Sequence, residues 1–563
     1  MSARAQAAIA IAILLGLSAT TRVATSPRGS DLTLSWLRDG RVETRASAGA
    51  GVTKTPLGSV WKLFVYAYAI ERGMNTPPYR CGPTRGRDEE YCCEPGGSID
   101  RDHALARSCG RFFEPRRLNI DATAWRDFWK PRTDPFSTWL VDLNNLRPDT
   151  VMPVVDLLHA LAALPPDART AAERALLPVM IDGYGRGGVA YVGGLLRAKT
   201  FTWDDPARPG TSMGGGAGWL VDGTPIWFAS TGSSRRVLAD HAATIADWLP
   251  SPQRGPLDEP CVAVDFFERY PIRAVDRLTP REAASNGPLR GRYRVQFENG
   301  NVLTFTSAGE LMLDLNSPRP RITGQFPMSD YIARVIDREA DATVTQAARA
   351  LGIVARTWTI ENAPFGRGCF RVADSSQMQR VSPNAPTAAA KAAALFTDGL
   401  VLQGASVRYH RDTASPGVMS WQMASMQARD GRGFDLILAD AFPGTSLAAM
   451  TGERECRQVQ DADAWLARMM PGWRRRLAAQ AGFESPDRLS VCSLDYGHPY
   501  ADRARQRIYV RGIASREDRI AVAHEYVHLA FRFHPRGNDD VFVESMARTL
   551  VDAPITSQVG SQE

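Results

Sequence analysis

The stretch WLPSPQRGPLDEPC, Trp248 to Cys261, places four prolines in 14 residues. Proline lacks a backbone N–H and fixes its own φ, so no helix interior or central strand survives that density. The stretch reads as a linker, and it forces separately built bodies onto the chain. A length of 563 residues agrees, because single cores stop growing well before that size.

On either side of the linker the apolar pattern differs. Before it, LTLSWLRDGRVETRAS reads as a hairpin, GSVWKLFVYAYAIERG as a buried helix and GAGWLVDGTPIWFAST as a second hairpin with a glycine turn. After it, GRYRVQFENGNVLTFTSAGELMLDL alternates as strands, with turns expected at ENGN and SAGE. Helical periodicity follows from Ser329 to Ala363, then a further helix from Thr387 that stops at Gly399. Helices are expected to dominate from about Met426 onward.

The N-terminus carries Arg4 and then an apolar run from Ala7 to Leu17. That run is short for a bilayer span, and small and polar residues follow it, as in a secretory signal peptide. The mature chain is expected to begin between Thr20 and Asp31, with no transmembrane segment left after signal removal. An even set of eight cysteines suits an oxidising compartment. Cys456 with Cys492 is the favoured pair, then Cys81 with Cys92 or Cys93. The net charge of +6 is spread along the chain. No basic block interleaves with aromatics, which argues against a nucleic-acid partner and leaves contact with an acidic polymer such as cell-wall glycan open.

Ser59-Val60-Trp61-Lys62 opens the first apolar helix, so the serine and lysine share one face, and a buried lysine can take the serine proton. HALARSCGRFFEPRRLNI then presents Ser108-Cys109-Gly110, and LRAKTFTW presents Lys199-Thr200-Phe201. In order and separation these three stretches resemble the penicillin-binding protein and serine β-lactamase superfamily over roughly Leu32 to Pro250. The resemblance implies that Ser59 is acylated, Lys62 activates it, Ser108 relays a proton, and Lys199 and Thr200 bind a substrate carboxylate. Gly110 stands where that family has Asn, so an amide is missing. Phe201 stands where it has Gly, and its ring is expected to block a peptide laid on the strand.

Tyr331, Glu339, Ala355-Arg356-Thr357, Gln379 and His410 fall in stretches that resemble the sporulation stage II protein D and amidase-enhancer family over about Arg290 to Gln422. That resemblance implies action on peptidoglycan glycan strands, with Glu339 as the acid and His410 among the substrate-binding residues. The family's Cys/His metal pair is not evident in VADSSQMQ.

VAHEYVHLAFRFHPRGNDDVFVESMART, near the end of the chain, carries His524 and His528 four apart on one helical face with Glu525 beside them. Neutral imidazoles so spaced can bind Zn²⁺, and Glu525 can deprotonate a metal-bound water. Asp539-Asp540 caps a second helix bearing Glu544, the expected third ligand, with His534 as runner-up. The arrangement resembles gluzincin-type metallopeptidases. QRIYVRG, just upstream, reads as an edge strand for aligning substrate. His498 or Tyr496 is a candidate to assist the transition state.

The whole chain also resembles a family of secreted bacterial proteins found near α2-macroglobulin-like proteins, which implies periplasmic location and an envelope partner of that kind. The expected architecture is multi-domain α+β: a signal peptide at 1–25, a β-lactamase-like α/β sandwich at 30–250, a mixed α+β glycan-type module at 260–425 and a mainly helical zincin-like module at 426–563. The expected function is a zinc-dependent peptidase or amidase associated with peptidoglycan. The alternatives are a serine DD-peptidase-like acyl enzyme, favoured by a covalent β-lactam adduct, and a non-catalytic wall-binding scaffold, favoured by sacculus binding without product release.

Overall fold

The structure, a computed structural model, describes residues 31–553 except 48–50, 85–88, 90, 94, 134, 183–186, 257–258, 377, 404–406, 414, 416, 444, 451–457, 487–488, 495–498, 503–505 and 533. The expected signal peptide, Tyr496, His498 and Cys456 lie outside the described residues.

The first body is built on a five-stranded antiparallel sheet. Its strands run in the order Arg41–Ala46, Thr33–Arg38, Pro225–Thr231, Ser212–Leu220, Leu196–Asp204. Both expected hairpins are present. The first turns on Asp39 and Gly40, both at positive φ, the two-residue geometry that matches strand twist. The helix Trp61–Glu71 is buried at every residue from Trp61 to Ala69. A helix apolar all round belongs inside a body, and Phe64 and Tyr66 pack in one core with Trp125, Trp129, Trp219 and Trp227.

From Leu249 to Pro260 no helix or strand interrupts the linker among its described residues. Beyond it lies an eight-stranded sheet. Its order is Arg281–Ala283, Ile272–Leu278, Gly287–Phe297, Val302–Asp314, Arg321–Pro327, Cys261–Phe266, Cys369–Ala373, Phe365–Gly366. The helices Met328–Glu339 and Thr345–Asn362 share its core through Ile332, Ile336, Ile353 and Val354. ENGN is a turn, but SAGE is not. The strand continues through it to Asp314, and a register shift between Pro288 and Arg290 on its partner absorbs the irregularity. This core also takes in Phe434, Ile437, Phe442 and Ala448. The packing therefore moves the expected boundary from 425 to about Met450.

The last body has its own core around Leu466, Trp473, Val491, Ile508, Tyr526 and Leu550. It is less helical than expected, because Ser490–Ser493, Arg507–Val510 and Tyr500–Asp502 form a sheet beside the helices Gln460–Leu477, Arg516–Ala530 and Asp540–Asp552. The expected edge strand, Arg507–Val510, is the middle strand, paired on both sides.

Disulfides join Cys81 to Cys93, Cys92 to Cys109 and Cys261 to Cys369. Cys492 is also disulfide-bonded.

Candidate functional site

Ser59 sits in the one-turn helix Gly58–Val60 that leads into Trp61–Glu71. The turn is pinned from outside, since Leu57 N donates to Thr150 O at 2.7 Å and Gly58 N to Pro148 O at 3.0 Å. One turn on, the Lys62 ammonium donates to Ser59 Oγ at 2.9 Å and to Ser108 Oγ at 3.1 Å. Three residues expected from two separate motifs therefore meet at one nitrogen. Burial pulls the Lys62 pKa down to about 8, since a low-dielectric surround disfavours the charged form.

Ser108 has φ +64, rare for a residue with a side chain. The turn that bears it is held by Cys109 N to Ala104 O at 2.9 Å and by the Cys92–Cys109 bridge. Strained backbone that its surroundings over-determine is a mark of functional sites. Gly110 lines the lysine: a Cβ there would stand 3.8 Å from Lys62 Cε, an ordinary contact. Lys199 is fully buried, and burial with the nearby Lys62 charge holds its ammonium well below the usual lysine range. It lies on the strand Leu196–Asp204, which ends the sheet and has one edge unpaired among the described residues.

The Phe201 ring is placed otherwise than expected. It is 1% exposed and presses on Gly58, where a Cβ would come within 2.7 Å of Phe201 Cβ. Gly58, at φ +50, makes room for the ring. The phenyl thus fills the gap between strand and serine turn and does not lie along the strand's open edge.

In the second body Glu339 accepts from Arg380 N at 3.2 Å, and Asp374 accepts from the next amide, Val381 N, at 3.0 Å. Burial raises both carboxyl pKa values. Tyr409, not His410, reaches this place, donating to Glu339 O at 2.9 Å. His410 is exposed, and its Nδ1 accepts from Asp412 N and Thr413 N. Successive strand residues face opposite ways, which separates the two. Tyr331 donates to Gln379, which also bonds Thr359 and Ala355 O, and Arg356 is fully buried. These hold the core together.

In the third body the helix Arg516–Ala530 starts at a capping box of Ser515 and Asp518. The His524 and His528 Nε2 atoms lie 3.0 Å apart. Their Nδ1 atoms are engaged, His524 with Glu544 Oε2 at 2.9 Å and His528 with Gly537 O at 2.7 Å. Donation from Nδ1 leaves the Nε2 lone pairs for an ion. Glu544, however, lies at the far side of His524 and also pairs with Arg548 at 2.6 Å. Two ligands of the expected three converge, and among the described residues no group of three His, Cys, Asp or Glu side chains is placed to hold a metal. Glu525 is buried. His534 caps the turn Pro535–Asn538 and packs on Gly482. Asp539 caps the following helix, as expected.

A family of proteins described as predicted secreted (DUF2300) matches residues 84–206 and 417–536. A protein of Escherichia coli (strain K12), named Uncharacterized protein YfaQ, is 40% identical over 511 residues, covering 90% of this chain and 92% of its own length. The chain belongs to this family of predicted secreted proteins. No helix among the described residues is long and apolar enough to cross a membrane. Among solved structures, a class A β-lactamase representing the last common ancestor of Gram-negative bacteria aligns with 39% of this chain and 94% of its own, at 15% identity and TM-score 0.28. A β-lactamase from Desulfarculus baarsii aligns with 40% and 93%, at 16% identity and TM-score 0.27. At these scores the likeness is weak.

Proposed function

We propose that the chain is a periplasmic serine acyl enzyme acting on a peptide-like amide that carries a carboxylate, such as the peptide part of peptidoglycan. The observation that carries the reading is the single buried lysine nitrogen hydrogen-bonded to both Ser59 and Ser108. In the proposed reaction neutral Lys62 takes the Ser59 proton while Oγ bonds to the carbonyl carbon. The C–N bond then breaks, the departing amine receives a proton through Ser108, and water releases the acyl group. Lys199 and Thr200 would hold the carboxylate. A fluorescent β-lactam or fluorophosphonate tests this. Ser59 should carry the label, slowly because Gly110 offers no amide, and Lys62→Ala should abolish it. A wild-type chain that never labels would overturn the reading.

A second reading, zinc-dependent peptide or amide hydrolysis by the last body, is favoured by one observation, the convergence of the two Nε2 atoms. His524 and His528 would hold the ion, which would supply an activated water, and Glu525 lies on the same helix to take its proton. Metal analysis of chain purified without chelator decides it. Zinc near one per chain, lost in His524→Ala and retained in Glu525→Gln, supports this reading, and no zinc even on titration removes it.

A further inference from the structure

The first and second bodies share more than a linker. Leu177 and Val189, from the first, pack in the core of the second. Gly194 N donates to Phe396 O at 2.7 Å, and a Cβ at Gly193 or Gly194 would strike the carbonyl oxygens of Phe396 and Asp398 at 2.2 and 2.0 Å. Two glycines in a row thus let the backbones touch. At this joint Arg197 donates from Nη2 to Asp398 Oδ2 at 2.9 Å and to Asp398 O at 3.1 Å, and from Nη1 to Gly194 O. The arginine is 4% exposed, and its charge-assisted bond to the carboxylate, with the two carbonyl bonds beside it, fixes geometry as well as charge.

Arg197 and Lys199 lie two apart on one strand, so they share a sheet face. The strand is last in its sheet, with a neighbour on one side only among the described residues. Asp398 itself is immobilised. Fully buried Arg356, from the helix Thr345–Asn362, donates to the carbonyls of Thr397 at 2.6 Å, Leu400 at 3.1 Å and Ala394 at 3.3 Å, bracketing it.

We propose that Asp398 is a positioning residue for the serine site: the second body, through the Asp398–Arg197 pair, sets where the strand bearing Lys199 and Thr200 lies. That this strand serves a reactive site rests on the function proposed above; the coupling itself does not. Hydrogen exchange of the full chain tests it. In Asp398→Asn the Leu196–Asp204 peptide should exchange about tenfold faster, while Thr33–Arg38 and Pro225–Thr231 stay as in wild type. Asp398→Glu, which keeps the charge, should restore protection to within about twofold of wild type. If Asp398→Asn does not fold, Arg197→Lys, which keeps charge but loses the planar group that reaches both Asp398 and Gly194, takes its place with the same expectation. An edge strand that exchanges as in wild type, or equal acceleration of all three strands, overturns the proposal. Covalent labelling is run beside it: a wild-type chain that takes no label removes the serine reading, and exchange still decides the coupling.

Discussion

A lysine buried beside two hydroxyls titrates differently from one in water, and burial brings Lys62 down to about 8. Its neutral form, the base, should rise from about a tenth of the molecules at pH 7 to about nine-tenths at pH 9. Labelling of Ser59 should therefore climb through pH 8 and level off above 9, and a flat profile would remove Lys62 as the base. At Gly110 a Cβ would make only an ordinary contact with Lys62 Cε, and Gly110→Asn should speed labelling about tenfold by adding a dipole at the site; stopped-flow or gel kinetics reads it. At this scale the sequence was informative where the rule is local. Ser59 and Lys62 are one helical turn apart, so their meeting needs no tertiary knowledge. Phe201 misled, because its ring is accommodated by Gly58, far away in sequence. Tyr409, Asp374 and Asp398 were missed, since nothing local links them to Glu339 or Lys199. The one signal on offer, the tyrosine adjoining His410, lay on the opposite strand face.

Between elements, the strand Leu196–Asp204 presses on the serine turn, where Phe201 meets Gly58. Gly58→Ala adds a methyl into that contact at φ +50, and should cost about 2–4 kcal/mol in denaturant unfolding. Phe201→Ala in the same chain should return part of that cost by opening the space, so the two changes should be non-additive. Hairpins and the buried helix were legible because alternation and all-round apolarity are written in the chain. SAGE and Arg507–Val510 were not. A bulge and a turn use the same small residues, and whether a strand is central depends on neighbours that sequence order does not reveal.

Over the whole molecule, the second core extends past the expected boundary. A chain ending at Met450 should unfold cooperatively. One ending at Ser425 strips Phe434, Ile437 and Phe442 from that core and should bind a hydrophobic dye and lose its cooperative transition. The joint between bodies also titrates. Burial raises the Glu173 carboxyl to about 7 among Arg169, Arg197, Asp398 and Asp222. A raised carboxyl stabilises the folded state fully below its unfolded pKa of 4.5 and ceases to as pH rises through 7. Stability should fall between pH 5 and 8, and Glu173→Gln should flatten that slope in unfolding curves measured across the range. The linker was readable from its prolines. The contacts across it were not, because Arg197 and Asp398 are 201 residues apart.

The Cys92–Cys109 bridge bears on when such a protein becomes competent. Both sulfurs are buried, and one belongs to the residue after Ser108. In a reducing cytoplasm the bridge stays open, and the turn that presents Ser108 to Lys62 lacks that covalent tie. A newly made copy awaiting export would thus be unfinished, and it would mature on reaching an oxidising compartment. On the function proposed above, the serine site would stay incomplete until the bridge has formed.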